Sequence, residues 1–99
     1  MTILVLDFES SGLNIFHDDV IEIAIKVFNT DNSFECLVIP QNKKGLSGKI
    51  TEITGITNQM LKDEGLNYKD AYSQMIAFIE DNTNEDEPFY LIAHNGQGF

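Results

Sequence analysis

The N-terminal stretch of the chain has a hydrophobic pattern that predicts a central β-strand. Aliphatic side chains fill residues 3–6 without a break, and two carboxylates, Asp7 and Glu9, follow directly. A short unbroken apolar run is typical of a strand that is covered on both faces. Side chains two residues apart on a strand point to the same face. Asp7 and Glu9 are therefore predicted on one face, with Phe8 in the core on the other, and Ser-Ser-Gly at residues 10–12 predicts the turn that follows.

The remaining pattern predicts two more strands, a helix and a fourth strand. Residues 20–28 alternate, which predicts a strand with Ile21, Ile23, Ile25 and Val27 on one face. Residues 34–39 form a third strand that ends at Pro40. Residues 68–82 carry apolar side chains on one face of a 3.6-residue period, and residues 89–93 are again continuously apolar. Short turns favour an antiparallel three-strand meander, while the helix permits a crossover that places the fourth strand parallel to the first. The predicted fold class is α/β.

The polar segments between these elements have weaker patterns. Residues 41–49 carry three of the six lysines and are predicted as an exposed loop, with contact to phosphate as the less favoured alternative. Thr57 can cap a short helix that turns its apolar side chains inward. On the second strand, Glu22 and Lys26 share a face, and we expect that face to be solvated.

Composition and charge restrict the possible classes of function. The 99 residues suffice for one domain, taken as residues 1–99. Sixteen acidic residues face six lysines and no arginine, which gives a net charge of −10. Nucleic-acid binding usually depends on Lys and Arg that neutralise phosphates, so here it would need divalent cations. The single Cys36 excludes a disulfide framework. No segment predicts a signal peptide or membrane span, so an intracellular protein, cytoplasmic or nuclear, without membrane contact is expected.

Asp7 and Glu9 are the side chains with the clearest potential for chemistry. Carboxylates that follow a buried strand are costly unless they are paired, solvated or bound to metal. Mg²⁺ and Mn²⁺ accept one or two carboxylates together with waters and substrate phosphates. The pair therefore either binds such a cation or caps a strand end that reaches solvent. A parallel fourth strand would bring residues 94–99 to the same edge of the sheet, where open α/β sheets place ligands.

Three segments resemble the motifs of one enzyme family. Val-Leu-Asp-Phe-Glu-Ser-Ser-Gly-Leu at residues 5–13, Ile-Thr-Gly-Ile-Thr at 53–57 and Ala-His-Asn-Gly-Gln-Gly-Phe at 93–99 are similar to segments of the DEDD (DnaQ-like) 3′–5′ exonucleases, which have the ribonuclease H-like fold. Serine stands where the first motif usually has two threonines. The three segments occur in the family's order and span nearly the whole chain. The resemblance therefore favours a metal site over a solvated strand end.

The resemblance implies hydrolysis of phosphodiester bonds at a single-stranded DNA or RNA 3′ end by two divalent metals, Mg²⁺ or Mn²⁺. Asp7 would then contact both metals and Glu9 one, and both would be catalytic. The residues that the resemblance implies in binding the 3′-terminal nucleotide are Ser10, Ser11, Gly12, Leu13, Ile53, Thr54, His94, Asn95 and Phe99.

Several of these residues have a structural alternative. For Leu13, Ile53 and Phe99, a position in the hydrophobic core is an equal alternative to contact with sugar or base. His94 and Asn95 would order the second motif's turn, but an Asn in a tight turn could instead cap the following helix.

The sequence also departs from the family pattern. The aspartate that ends the second motif is missing after Phe99, and no segment matches the third motif, so two of the four expected carboxylates are absent. We therefore expect the N-terminal part of an exonuclease domain that is weak or inactive alone, with a polymerase or a complementing C-terminal fragment as partner. The alternative is a non-catalytic binding or regulatory domain, or a remnant, derived from this fold.

Overall fold

A computed structural model describes residues 1–12, 19–41 and 45–94, and within these ranges it contains four strands and three helices. In chain order they are β1 (Thr2–Ser10), β2 (Val20–Val27), β3 (Ser33–Leu37), α1 (Gly48–Thr54), α2 (Asn58–Glu64), α3 (Tyr68–Asp81) and β4 (Phe89–His94). The four predicted strands and the long helix are confirmed. Residues 14–18, one of the short connections expected in the antiparallel meander, lie outside the described residues.

The strands form one mixed sheet in the order β3-β2-β1-β4. β1 pairs antiparallel with β2 and parallel with β4, and β2 pairs antiparallel with β3. The predicted meander and crossover are both confirmed. β1 is therefore a central strand, and the register places Asp7 between Ala24 of β2 and His94 of β4.

The main hydrophobic core lies between one face of the sheet and α3. Its buried members come from β1, β2, the residue after β3, and α3: Leu4, Leu6, Ile23, Ile25, Val38, Ala71 and Met75. Phe8 packs against this cluster, as predicted. α3 begins where Asn67 accepts a hydrogen bond from the backbone N–H of Asp70 at 2.9 Å, which satisfies one of the free donors at the helix start.

A β-bulge separates a second, smaller core from the first. Glu9 lies opposite Glu22, but Ser10 lies opposite Val20, so Ile21 is an extra residue on β2. Ile21 is fully buried and packs with Ile56 and Leu61 instead of with the α3 core. The strict alternation that placed Ile21 on the same surface as its neighbours in β2 is therefore wrong at this residue, because the bulge turns one side chain out of register.

The two short helices that complete this second core have clear capping residues. Ser47 accepts from the N–H of Ile50 at the start of α1, and Gly55 ends α1 in the left-handed region at φ 78°. Thr57 caps α2 by accepting from the N–H of Met60 at 3.0 Å, as predicted. α1 was not predicted: the expected loop over residues 41–49 ends early, because Gly48 and Lys49 are helical.

β4 presents a half-exposed apolar surface. Phe89, Tyr90, Leu91 and Ile92 are between 41 and 57% exposed. Within the described part of the chain, β4 pairs with β1 alone and forms one edge of the sheet. None of the described helices is long and apolar enough to cross a bilayer.

Candidate functional site

The carboxylates of Asp7 and Glu9 lie near the C-terminal end of β1, on the face of the sheet opposite α3. Leu6 and Phe8, which alternate with them, contact the α3 core, so the strand pleat directs Asp7 and Glu9 away from it. Both side chains are half-buried. This is the arrangement that the sequence predicted for the pair.

Two further carboxylates share this face, which we call the acidic face: Asp7, Glu9, Glu22 and Glu35. Glu22 lies directly opposite Glu9, and Glu35 lies in register with Asp7 across Ala24. Burial raises the pKa of Glu9, and the nearby charge of Asp7 raises it further. Burial also raises the pKa of Glu22, with additional contributions from Glu35, Glu9 and Asp7. The acidic face therefore concentrates four carboxylates, and among the described residues Lys26 lies beside two of them, Asp7 and Glu35.

The pair Asp7 and Glu9 fits a divalent cation in the chemistry of its donors. Carboxylate oxygens are the ligands that Mg²⁺ and Mn²⁺ prefer, and a cation would relieve the repulsion that raises the pKa of Glu9. In the described ranges, no group of three or more His, Cys, Asp or Glu side chains is placed to hold a metal ion. Other ligands would come from water, from substrate phosphate or from polypeptide outside these ranges.

A cavity of about 310 Å³ adjoins Glu9, and we call it the Gly12 pocket. Its lining comes from the end of β1 and from one face of α1: Glu9, Ser10, Gly12, Lys49, Ile50, Ile53 and Thr54. Five of these residues were predicted at the site from two distant segments of the sequence. The volume is at the lower end of the range for small-molecule sites, which suits one monomer unit of a polymer.

The hydroxyl groups around the Gly12 pocket hold its backbone in place. Ser10 donates to the carbonyl of Gly12, and the hydroxyl of Ser11 accepts from the N–H of Asp19 at 2.9 Å. Thr54 donates to the carbonyl of Ile50 at 2.8 Å and accepts from the N–H of Ile56 at 3.1 Å. These bonds fix the β1 turn and the end of α1, so the hydroxyls of Ser10 and Thr54 serve the shape of the pocket.

The other predicted site residues are distributed differently. Ile53 is 49% exposed and lines the pocket, so the alternative that placed it in the core is wrong. Ser11 lies beside the pocket and is not part of its lining. The backbone of His94 is in register with Asp7. Leu13, Asn95 and Phe99 lie outside the described residues.

Three residues near the site were not predicted there. Lys49 was assigned to an exposed loop, with contact to phosphate as the less favoured alternative, and Ile50 was assigned to no element, although Ser47 and Gly55 carry the capping signals of a short helix. Glu22 was expected on a solvated face, but it is half-buried beside Glu9. Lys26 is exposed, as expected.

Comparison with known protein families and curated proteins gives consistent matches. The profile of the RNase T family, described as an exonuclease family, matches residues 4–96. The chain is 33% identical over 95 residues to the PolC-type DNA polymerase III of Thermotoga maritima, which covers 95% of this chain and 6% of that protein. It is 30% identical over 99 residues to the PolC-type DNA polymerase III of Mycoplasma genitalium, and this match covers 99% of this chain and 6% of that protein. The chain thus spans about 6% of the length of these relatives.

Solved structures with the same fold include the nuclease domain of 3'hExo, a DEDDh family member bound to rAMP. Its TM-score is 0.81 at 19% identity, over 95% of this chain and 52% of that chain. Cell-death related nuclease 4 gives a TM-score of 0.78 at 24% identity, over 97% of this chain and 36% of that chain. At these identities the likeness establishes the ribonuclease H-like fold.

Proposed function

The chain belongs to the RNase T exonuclease family, of the DEDD (DnaQ-like) type, and from this we propose that residues 1–99 form part of a 3′–5′ exonuclease domain. The observation that carries the proposal is the junction between Glu9 and the Gly12 pocket. It brings the first motif-like segment against the face of α1 that precedes the Thr-Gly-Ile-Thr segment. The proposed substrate is the 3′ end of single-stranded DNA or RNA.

In this proposal, Asp7 and Glu9 hold a divalent cation, Mg²⁺ or Mn²⁺, beside the scissile phosphodiester. The cation, when bound, supplies Lewis-acid activation of the phosphoryl group. The chain's own residues bind and orient the terminal nucleotide: Ile50 and Ile53 offer apolar surface to sugar or base, while Ser10 fixes the turn that forms the opposite wall. Positioning of this kind reduces the entropic cost of bringing the bond to the reactive groups.

We further propose that this chain alone is weak or inactive as a nuclease. Two carboxylates seldom hold a pair of metals, so further ligands would come from additional polypeptide. Two observations support this: the half-exposed apolar side chains of β4, and the 52% share of the 3'hExo chain that is covered. A polymerase or a complementing C-terminal fragment is the proposed partner, in line with the PolC relatives, and an intracellular location is part of the same proposal.

Metal-dependent binding of a 3′ end tests the proposal without requiring turnover. Fluorescence anisotropy of a 5′-labelled oligothymidine would be recorded with Mn²⁺ and with EDTA, for wild type, Asp7→Asn and Asp31→Asn. Asp31 lies in the exposed turn after β2, so its variant matches the charge change away from the site. We expect EDTA and Asp7→Asn each to weaken binding by about tenfold, which corresponds to ~1.4 kcal/mol, while Asp31→Asn leaves it unchanged.

The other outcomes separate the alternatives. Saturable binding that survives both EDTA and Asp7→Asn would support the non-catalytic binding domain instead. Absence of any saturable binding would overturn the proposed function. Rapid Mn²⁺-dependent shortening of the oligonucleotide by the chain alone, abolished by Asp7→Asn, would refute the expectation that the chain needs a complementing partner.

A further inference from the structure

We propose that Lys49 is the phosphate-contacting residue of the Gly12 pocket; this inference rests on the proposed function and specifies how so acidic a chain receives a polyanion. The resemblance to the exonucleases implied no positively charged side chain at this site. The structure places one there, because Lys49 lies on α1 and lines the same cavity as Glu9 and Gly12.

Lys49 lies on the face of α1 that lines the Gly12 pocket. Lys49 and Ile53 are four residues apart on α1 and therefore lie on one face of the helix. Both line the cavity, whereas Glu52, on the same helix, does not. Lys49 thus lines the pocket from the α1 side, and Glu9 lines it from the β1 side.

The charge around Lys49 differs from the charge elsewhere on the acidic face. Among the residues that line the Gly12 pocket, one carboxylate is balanced by one ammonium group. The neighbouring cavity beside Glu22 is lined by two further glutamates, Glu35 and Glu64, and by no lysine. Lys26 lines a third cavity, but there it lies with both Asp7 and Glu35. Of these three cavities, the Gly12 pocket would therefore repel an entering phosphate least.

Helix stability does not account for a lysine at this position. A cation in the first turn of a helix opposes the helix dipole and is slightly destabilising. Lys49 is exposed, and its side chain forms no ion pair or hydrogen bond within residues 1–12, 19–41 and 45–94. Its ammonium group is therefore available to an anion in the pocket.

Comparison of dTMP with thymidine isolates the contribution of the phosphate. Both ligands would be titrated with Mn²⁺ against ¹⁵N-labelled wild type, Lys49→Gln, Lys49→Arg and Lys69→Gln, following NMR chemical shifts. Lys69 is a matched control, because it is exposed and is the second residue of α3, as Lys49 is of α1, but it does not line the pocket. We expect Lys49→Gln to weaken dTMP binding about three- to fivefold, the size of one exposed charge contact. Thymidine binding should stay unchanged, and Lys49→Arg should retain dTMP binding.

A salt titration supplies a second readout that a purely structural role would not alter. For a short oligothymidine, Lys49→Gln should reduce the slope of log K against log salt concentration by about 0.7, the value for one single-strand phosphate contact. Equal dTMP affinities for Lys49→Gln and Lys69→Gln would overturn the inference, as would equal losses for dTMP and thymidine. If wild-type binding is Mn²⁺-dependent in either case, the proposed function stands without Lys49. If wild type binds neither ligand, the proposed function and the inference both fail.

Discussion

Removal of one carboxylate from the acidic face should stabilise the protein, and Glu22→Gln is the most informative substitution. Glu22 lies directly opposite Glu9 in the β1–β2 ladder, and the charges of Glu35 and Asp7 act on it as well. Glutamine keeps the size and hydrogen-bonding capacity of the side chain but removes the charge. The substitution therefore reports the electrostatic cost of holding these carboxylates on one face.

The size of the effect follows from the cross-strand geometry. Like charges directly opposite each other in a sheet are destabilising on a scale of about 0.2–1 kcal/mol. Glu22 is only half-buried, so solvent screening keeps the cost within this range. In a domain of 99 residues, 1 kcal/mol corresponds to a Tm shift of roughly 4–8 °C. We expect Glu22→Gln to raise the Tm by about 1–8 °C at pH 7.

The raised pKa of Glu22 determines the direction in which stability changes with pH. Because the pKa of Glu22 is raised above its usual 4.5 in the folded state, the folded protein binds more protons than the unfolded chain between the two values. Stability therefore falls as the pH rises through that window, and the full cost is present at neutral pH. The advantage of Glu22→Gln should be complete at pH 7 and should disappear as the pH falls below 4.5.

Thermal unfolding followed by circular dichroism, in EDTA and low salt at pH 7 and pH 4, measures both effects. Glu52→Gln is the control, because Glu52 is exposed on α1 and lies outside the acidic face. An unchanged or lower Tm for Glu22→Gln at pH 7 would refute the reasoning. So would a gain of the same size at pH 4, or an equal gain from Glu52→Gln.

Two further predictions concern the packing and backbone that support the site. Leu4→Ala should lower the free energy of unfolding by about 2–5 kcal/mol, since Leu4 is fully buried in the α3 core; a loss below ~1 kcal/mol in urea denaturation would contradict this assignment. Gly55→Ala should cost about 1–2 kcal/mol, because Gly55 has φ 78° and a Cβ is disfavoured there although the space around it is open. The same urea measurement would contradict the second prediction if Gly55→Ala were neutral.

The sheet and the long helix could be predicted because their signals are local and repeated. Each strand is a run of apolar side chains bounded by turn residues, and α3 repeats its apolar face over 14 residues. α1 lacks this advantage: its seven residues include Gly48 and no buried side chain, so hydrophobic spacing gives little signal. The sequence signals for this helix are its two capping residues, Ser47 and Gly55.

The bulge at Ile21 could not be predicted, and it determines much of the site. An extra residue on one strand leaves the apolar alternation of the sequence unchanged, so only the pairing with β1 reveals it. The same pairing places Glu22 opposite Glu9. The charge density of the acidic face was therefore hidden for the same physical reason, since cross-strand neighbours depend on register and not on spacing along the chain.

The bulge also explains how the Ile-Thr-Gly-Ile-Thr segment contributes to the fold. Ile21, displaced from the α3 core, packs against Ile56, the isoleucine of that segment. Gly55 ends α1 and Thr57 begins α2, so the segment joins both helices to the second core.

Ile56 and Thr57 of this segment therefore stabilise the fold, through core packing and helix capping. Ile53 and Thr54, at the start of the segment, line the Gly12 pocket together with Lys49 and Ile50 from the preceding part of α1. Lys49 is exposed, and its side chain forms no hydrogen bond or ion pair within the described part of the chain, so its charge can be removed with little effect on the fold. In the role proposed for Lys49, the residue that gives the Gly12 pocket its positive charge therefore precedes this segment and is not part of it.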